Sequence, residues 1–459
     1  MNPETTVTGG HLAGHIARTA RLALPVMLSR AGLVLMLTVD TAIVGHLDAA
    51  GLQLAALGAS VIPQVVLQTV AVGLLIGVIV RTAQLDGAGR SVECGQVWRL
   101  GILLAASLGA VYALALTPGT FILAEILGQP PEVAAAGGPV LTILGYGLPG
   151  LLLYVASTHF LEGINRPIPT MLLMLGANVL NAALAYALAY GAFGLPAMGV
   201  TGVAIATSIV RWVLGLGGIA LVLILVDRER YRVSGRLTHG LQGMMALLRL
   251  GLPLAAAIGL ETACFSMIVN FSGWLGPVSL ATMYAAINYT SFIYMLTIGL
   301  ATAAAVRVGN AVGRADWDGA QRAGWVAVAM AGGVIAVAAL LTALFADSAA
   351  NILTNDPAVL TNLVPLLAGV VSLLVIVDSL QGVLMGALRG YADTLIPTII
   401  YGISFWVVGV PAGYWWGYRQ EFGPFALTWA LIAALSVAAV ALGWRFRVMA
   451  APAFARKGL

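Results

Sequence analysis

Apolar positions fall in twelve long runs, and most polar and charged residues are confined to the stretches between them. The pattern predicts helices over 21–47, 53–80, 96–118, 134–161, 167–191, 197–226, 244–272, 279–306, 319–346, 357–387, 395–418 and 424–447. About 20 apolar residues in a helix cross the hydrocarbon of a bilayer, and every run is at least that long. No water reaches the backbone there, so each run must satisfy its own amides by coiling. An all-α polytopic membrane protein follows.

The polar gaps carry an orientation. With the N-terminus inside, all but three of the 22 basic residues lie in inner segments; Arg30, Arg211 and Arg419 are the others. The outer loops carry Asp48, Glu125, Glu132, Asp347, Asp356 and Glu421. This sorting is the positive-inside pattern. It puts both termini in the cytoplasm and the protein in the cytoplasmic membrane.

The gaps also divide the chain. DRERYRVSGR, 227–236, is its most charged stretch and falls between the sixth and seventh runs. Five segments are expected: a polar cytoplasmic tail at 1–20, an N-lobe at 21–226, a cytoplasmic linker at 227–243, a C-lobe at 244–448, and a tail at 449–459. The lobes repeat each other. RLALPVMLS at 21–29 echoes RLGLPLAAA at 249–257, and VGHLDAAGLQLA at 44–55 echoes SGWLGPVSLATM at 272–283. VRTAQLDGAGR at 80–90 echoes VRVGNAVGRAD at 306–316, and FLEGINRPIPT at 160–170 echoes VLMGALRGYADTLIPT at 383–398. Each lobe holds an even number of spans, so the repeat is parallel, as in secondary transporters with a path between two bundles.

Composition narrows the function. The chain is 60% hydrophobic and 9% charged, with a mean hydropathy of +0.98; a soluble domain carries about 25% charged residues. Inward sorting of arginine accounts for the pI of 9.2, and no nucleic-acid partner is called for. Cys94 and Cys264 are too far apart in sequence for a CxxC motif. His11, His15, His46, His159 and His239 form no HExxH motif, and no nucleophile elbow or nucleotide-binding loop is present. No cofactor is expected, and the protein is not expected to be an enzyme.

The candidate chemistry is a set of carboxylates deep in the spans: Asp40, Glu261 and Asp378. At about 1.5 Å per residue, Glu261 lies roughly 18 Å from the inner face and Asp378 roughly 16 Å from it. These two share a depth in one lobe, where a cation such as Na⁺ could bridge them or a proton be shared. Asp40 lies roughly 28 Å up, with Asn181 at roughly 22 Å and Asn178 a turn below it. The acids are not repeat-symmetric: the partner of Asp40 is Ile268, of Glu261 Leu33, and of Asp378 Val155. A charge held in a span is expensive, about 2.5–3.5 kcal/mol even on lenient scales, which favours function over packing. Arg30 either snorkels inward or pairs with Glu162, and Arg211 either faces a cavity or pairs. Tyr284, Asn288 and Trp406 are candidates for a path taken by cationic cargo, as aromatic faces attract cations.

With these motifs in view, the sequence resembles the multidrug and toxic compound extrusion (MATE) family, in its NorM-like branch. The resemblance rests on LALPVMLSRAGLVLMLTVDTAIVGHL, AQLDGAGR and YGAFGLPAMGVTGVAIATSI in the first half. In the second it rests on RLGLPLAAAIGLETACF, IVDSLQGVLMGALRGYAD and SFWVVGVPAGY. It covers about residues 20 to 448. It implies two six-helix lobes around a central cleft, and export of organic cations and amphipathic drugs by a monomer in exchange for Na⁺ or H⁺. Asp40 then matches the family's first-helix acid, and Glu261 and Asp378 its paired acids for cation coupling. Asn181 and Thr207 match a first-lobe ion site. Ala185 stands where relatives carry Asp or Asn, Leu374 where some carry tyrosine, and Met283–Tyr284 where a His–Gln pair is common. Two alternatives stay open: a lipid-linked oligosaccharide flippase of the wider superfamily, and an intramembrane enzyme.

Overall fold

The computed structural model describes residues 8–47, 50–235, 240–420 and 422–450. Asp48, Arg236, His239, Glu421, Arg456 and Lys457 lie outside the described residues, as do the ends of both expected tails and part of the expected linker. Among the described residues there is no strand, and twelve helices are long and apolar enough to cross a membrane.

They are α1 (Thr8–Gly45), α2 (Ala50–Gly87), α3 (Ser91–Ala115), α4 (Pro131–Gly163), α5 (Ile168–Tyr190) and α6 (Gly199–Leu225). After the linker come α7 (Gly240–Trp274), α8 (Pro277–Gly313), α9 (Trp317–Leu344), α10 (Pro357–Gly390), α11 (Leu395–Arg419) and α12 (Gly423–Met449). α10 and α11 are not uniform: α10 has a π-helical stretch at Leu366–Val371, and α11 has two, at Gly402–Gly409 and Gly413–Arg419.

Several helices overrun the apolar runs. α1 starts at Thr8, so residues 8–20 continue the first span as helix. At 1.5 Å per residue, its 38 residues reach about 57 Å, well beyond a hydrocarbon core of about 30 Å. An apolar run marks what sits in the lipid; the helix goes on where other contacts hold it. Here Arg307 of α8 donates to the carbonyl of His15 at 3.0 Å, to the Thr19 hydroxyl and to His15 Nδ1.

The chain forms two compact units. Among the described residues, one consists of those within Leu28–Asp86 and Arg90–Ala255; the other takes 8–27, Gly87–Gly89, and those from Ala256 to Ala450. α1 changes unit after Met27, and α7 after Ala255, each two residues past a proline, Pro25 and Pro253. Close backbone approach explains which helix each start packs on. A Cβ on Gly73 of α2 would lie 2.6 Å from the Ala255 Cα, and one on Gly299 of α8 would lie 2.9 Å from the Ala23 carbonyl and against Met27. Small residues let membrane helices approach in this way.

In the first unit α4 packs on α3 and α6, and α5 on α6. The run Leu151–Gly163 of α4 is buried throughout. In the second, α10 packs on α8, α9 and α12. The repeat is visible in the backbone: Gly89 and Ala315, at matching places after α2 and α8, both take left-handed conformations, φ 72° and 57°.

The described part of the linker is seated on the first unit. Asp227 caps a single turn, Arg228–Tyr231, by accepting from the amides of Glu229 and Arg230 at 3.0 Å. The Tyr231 hydroxyl donates to Asp86 at 3.0 Å. Burial and the Asp86 charge push this phenol up to about 12, so it keeps its proton and stays a donor.

Candidate functional site

Asp40 stands at the centre of the first cluster. It is buried in α1. Its Oδ1 accepts from Asn181 Nδ2 of α5 at 2.7 Å, and its Oδ2 accepts from Thr207 Oγ1 of α6 at 2.6 Å. The structure thus brings together Asp40, Asn181 and Thr207 from three helices. Hydrogen bonds to both oxygens compensate part of what the carboxylate loses on leaving water. Asn178 does not join them: its amide donates to the Met174 carbonyl one turn earlier, at 2.9 Å.

Beside Asp40 lies a cavity of about 80 Å³. It is lined by Asp40, Gln64, Gln68, Thr207 and Arg211 among apolar side chains such as Leu33 and Met36. A drug-sized ligand needs about 300–1,000 Å³, whereas water or a small ion fits in this space. Arg211, left open between a cavity and a partner by the sequence, faces the cavity. It donates to the Leu144 carbonyl and to Gln64 Oε1, both at 3.2 Å, and its charge acts on Asp40.

The second cluster joins Glu261 of α7 and Asp378 of α10 through a residue the sequence reading missed. Gln381 Nε2 donates to Glu261 Oε1 at 2.9 Å and to Asp378 Oδ1 at 3.2 Å. The Tyr401 hydroxyl of α11 donates to Gln381 Oε1. Tyr401 therefore fixes which end of the amide faces the acids, so one nitrogen is shared by two carboxylates. Tyr294 and Arg389 are near enough for electrostatic interaction with Glu261. The missing signal was periodicity: Gln381 follows Asp378 by three residues, so both lie on one helix face.

The path candidates make contacts of their own. Tyr284 is 64% exposed, Asn288 donates to its carbonyl at 3.0 Å, and the Trp406 indole donates to the Leu260 carbonyl at 3.2 Å.

A further buried acid, Glu162 of α4, is 1% exposed. It meets Arg30 of α1 at 3.5 Å, which is the pairing considered from the sequence. Ser29, next to Arg30, bonds the Tyr154 hydroxyl of α4 at 2.9 Å, and Tyr154 donates to the Thr170 carbonyl at 3.1 Å.

Comparison with known proteins gives a consistent result. The MatE family profile matches the chain twice, at residues 25–187 and 253–415. The sequence is similar to the probable multidrug resistance protein NorM of Xanthomonas campestris, 34% identical with 95% of this chain and 94% of that one covered. It is also similar to the multidrug resistance protein NorM of Burkholderia vietnamiensis, 32% identical over 97% of this chain and 96% of that one. Among solved structures, the fold is similar to the eukaryotic MATE transporter AtDTX14, with a TM-score of 0.86, 21% identity, and 97% and 99% of the two chains covered. It is likewise similar to a mutant form of the Vibrio cholerae MATE transporter VcmN, with a TM-score of 0.85, 19% identity, and 96% and 98% covered.

Proposed function

The chain belongs to the MatE family of multi-pass membrane transporters, in its NorM-like branch, and from that premise we propose a multidrug antiporter coupled to H⁺ or Na⁺. It exports cationic and amphipathic organic compounds across the cytoplasmic membrane, with both termini in the cytoplasm, and it is a transporter rather than an enzyme. The observation that carries the reading is the pair Glu261 and Asp378 held on one amide nitrogen of Gln381. Two carboxylates so placed repel each other until a cation or proton comes between them. Cargo and coupling ion then exchange by alternating access, each favouring a different state, because a ligand shifts an equilibrium only by its differential affinity. Asp40 forms a second charge-handling point on α1, in keeping with its place in the family pattern.

The test is ethidium efflux from proteoliposomes under a sodium gradient and a proton gradient imposed separately. Efflux driven by either gradient, and lost in both Asp378→Asn and Glu261→Gln, supports the reading. Efflux unchanged in both variants overturns it.

A further inference from the structure

We propose that Arg166 and Arg228 form a headgroup site for an anionic phospholipid at the inner end of α5 and α6. The inference goes beyond the antiport reading and holds whichever ion drives export. From that reading it takes only the orientation, in which this end faces the cytoplasmic leaflet.

The two guanidiniums converge on one turn of backbone in the first unit. Arg166, just before α5, donates from Nη1 to the Leu225 carbonyl at 2.8 Å. Arg228, just after α6, donates from Nε to the Leu223 carbonyl at 2.6 Å. Leu225 is the last residue of α6, so both side chains hold the same helix end. Both are exposed, and neither forms an ion pair with a described residue. A backbone carbonyl uses one N–H of each; the rest of the planar fork is left, and it matches the oxygens of a phosphate. Two like charges at one helix end repel until an anion lies between them.

The adjoining acids do not supply that anion. Asp227 turns Oδ1 to the amides of Glu229 and Arg230, and Glu229 forms no ion pair with a described residue. Arg230 is engaged elsewhere, with Ser91 Oγ at 3.2 Å and over the Tyr231 ring. Nor do the helix poles decide the sign. α6 ends here with its negative pole and α5 begins here with its positive one, so the two offset each other and the arginines prevail.

Depth and surroundings select a lipid over a soluble anion. The predicted apolar runs begin at 167 and end at 226, so both guanidiniums stand just outside the hydrocarbon, at the level of the lipid phosphates. Beside them the protein surface is apolar. Ile168 and Leu172, one turn apart on α5, are exposed, as are Ile224 and Leu225 of α6, with Ile224 at 72%. Acyl chains cover these residues while their phosphodiester bridges Arg166 and Arg228. A soluble anion leaves the apolar surface bare.

The experiment uses the full-length protein in phosphatidylcholine liposomes containing a phosphatidylglycerol with a diazirine beside its headgroup. After illumination, the labelled peptides are identified by mass spectrometry. We expect label within residues 166–172 or 224–228. Excess unlabelled phosphatidylglycerol should displace it, whereas excess phosphatidylcholine or soluble glycerol phosphate should not. Arg166→Gln with Arg228→Gln should weaken the competition by phosphatidylglycerol at least about tenfold. Arg314→Gln with Arg322→Gln, which removes as many exposed charges from the other unit, should leave it unchanged. Label absent from both stretches, or displaced equally by phosphatidylcholine, overturns the proposal. Displacement by glycerol phosphate overturns it in favour of a soluble anion, and equal effects of the two double variants overturn it in favour of general surface charge. Should the Arg166 and Arg228 variant not fold, labelling and competition on the unaltered protein decide the matter. Failure of the antiport reading would show separately, as absence of gradient-driven efflux by the unaltered chain.

Discussion

Asn181 and Asp40, 141 residues apart in the chain, meet at 2.7 Å, and Thr207 completes the grip on the carboxylate from the other side at 2.6 Å. Asp40→Asn keeps the shape of this group and removes its charge. Burying an ion carries a desolvation penalty even when it is well hydrogen-bonded. The variant should therefore melt at the same temperature as the parent or higher, while gradient-driven ethidium efflux falls to the level of empty liposomes. Melting in detergent and efflux in proteoliposomes read the two effects separately. A variant that unfolds and loses efflux together would mean that Asp40 serves structure.

Gln381 makes a different prediction, because it carries no charge of its own. Gln381→Leu strips Glu261 and Asp378 of their common donor and leaves the Tyr401 hydroxyl without its acceptor. A buried polar group left without a partner costs about 1–3 kcal/mol. The variant should lose stability by that order and lose coupling, so that efflux no longer responds to the gradient that drives the parent. Gln381→Asn is too short to span both acids and should restore stability only in part. A melting curve and the gradient dependence of efflux check both statements.

What the sequence made legible follows from how each feature is encoded. The spans announce themselves because lipid demands long apolar runs, and the deep acids stand out against that background. Arg30 with Glu162 could be anticipated, since Arg30 lies in the inner part of the first predicted run and Glu162 at the inner end of the fourth. Gln381 and Gln64 were passed over because a neutral amide in a greasy run attracts no notice, although each stands beside an ionisable group in space. Helix ends were hidden for another reason: α1 continues over residues 8–20, where His15 and Thr19 meet Arg307, a contact almost 300 residues away in the chain. The exchange of α1 and α7 between compact units is written in glycines whose neighbours only the fold reveals.

Those glycines give the third prediction. Gly73 faces Ala255 in one unit, and Gly299 faces Met27 and Ala23 in the other, so the repeat makes the same close crossing twice. At Gly73 the obstacle to a side chain is backbone, which cannot swing away. Gly73→Val and Gly299→Val should each destabilise by about 1–3 kcal/mol, the usual range for overpacking, seen as a lower melting temperature in detergent. Gly240, whose Cβ would meet nothing within 4 Å, is the control, and Gly240→Val should lack that steric penalty. Equal melting of the Gly73 and Gly240 variants would count against the crossing.

The last prediction concerns the buried pair Arg30 and Glu162. It joins α1 to α4 ten residues before Asp40, through a single contact at 3.5 Å, and leaves Arg30 Nε and Glu162 Oε2 buried without hydrogen bonds. So long a contact recovers little of the cost of taking two charges out of water, yet removing one partner strands the other. Glu162→Gln or Arg30→Met alone should thus destabilise by about 3–5 kcal/mol, the range for breaking a buried pair. Arg30→Met with Glu162→Met together should recover most of that loss, because no ion is then left unpaired. A double-mutant cycle on melting in detergent reads the coupling directly. Additive losses would show that the two side chains do not act as a pair. Recovery of stability with efflux still impaired would show that the contact also holds α1 in the position from which Asp40 works.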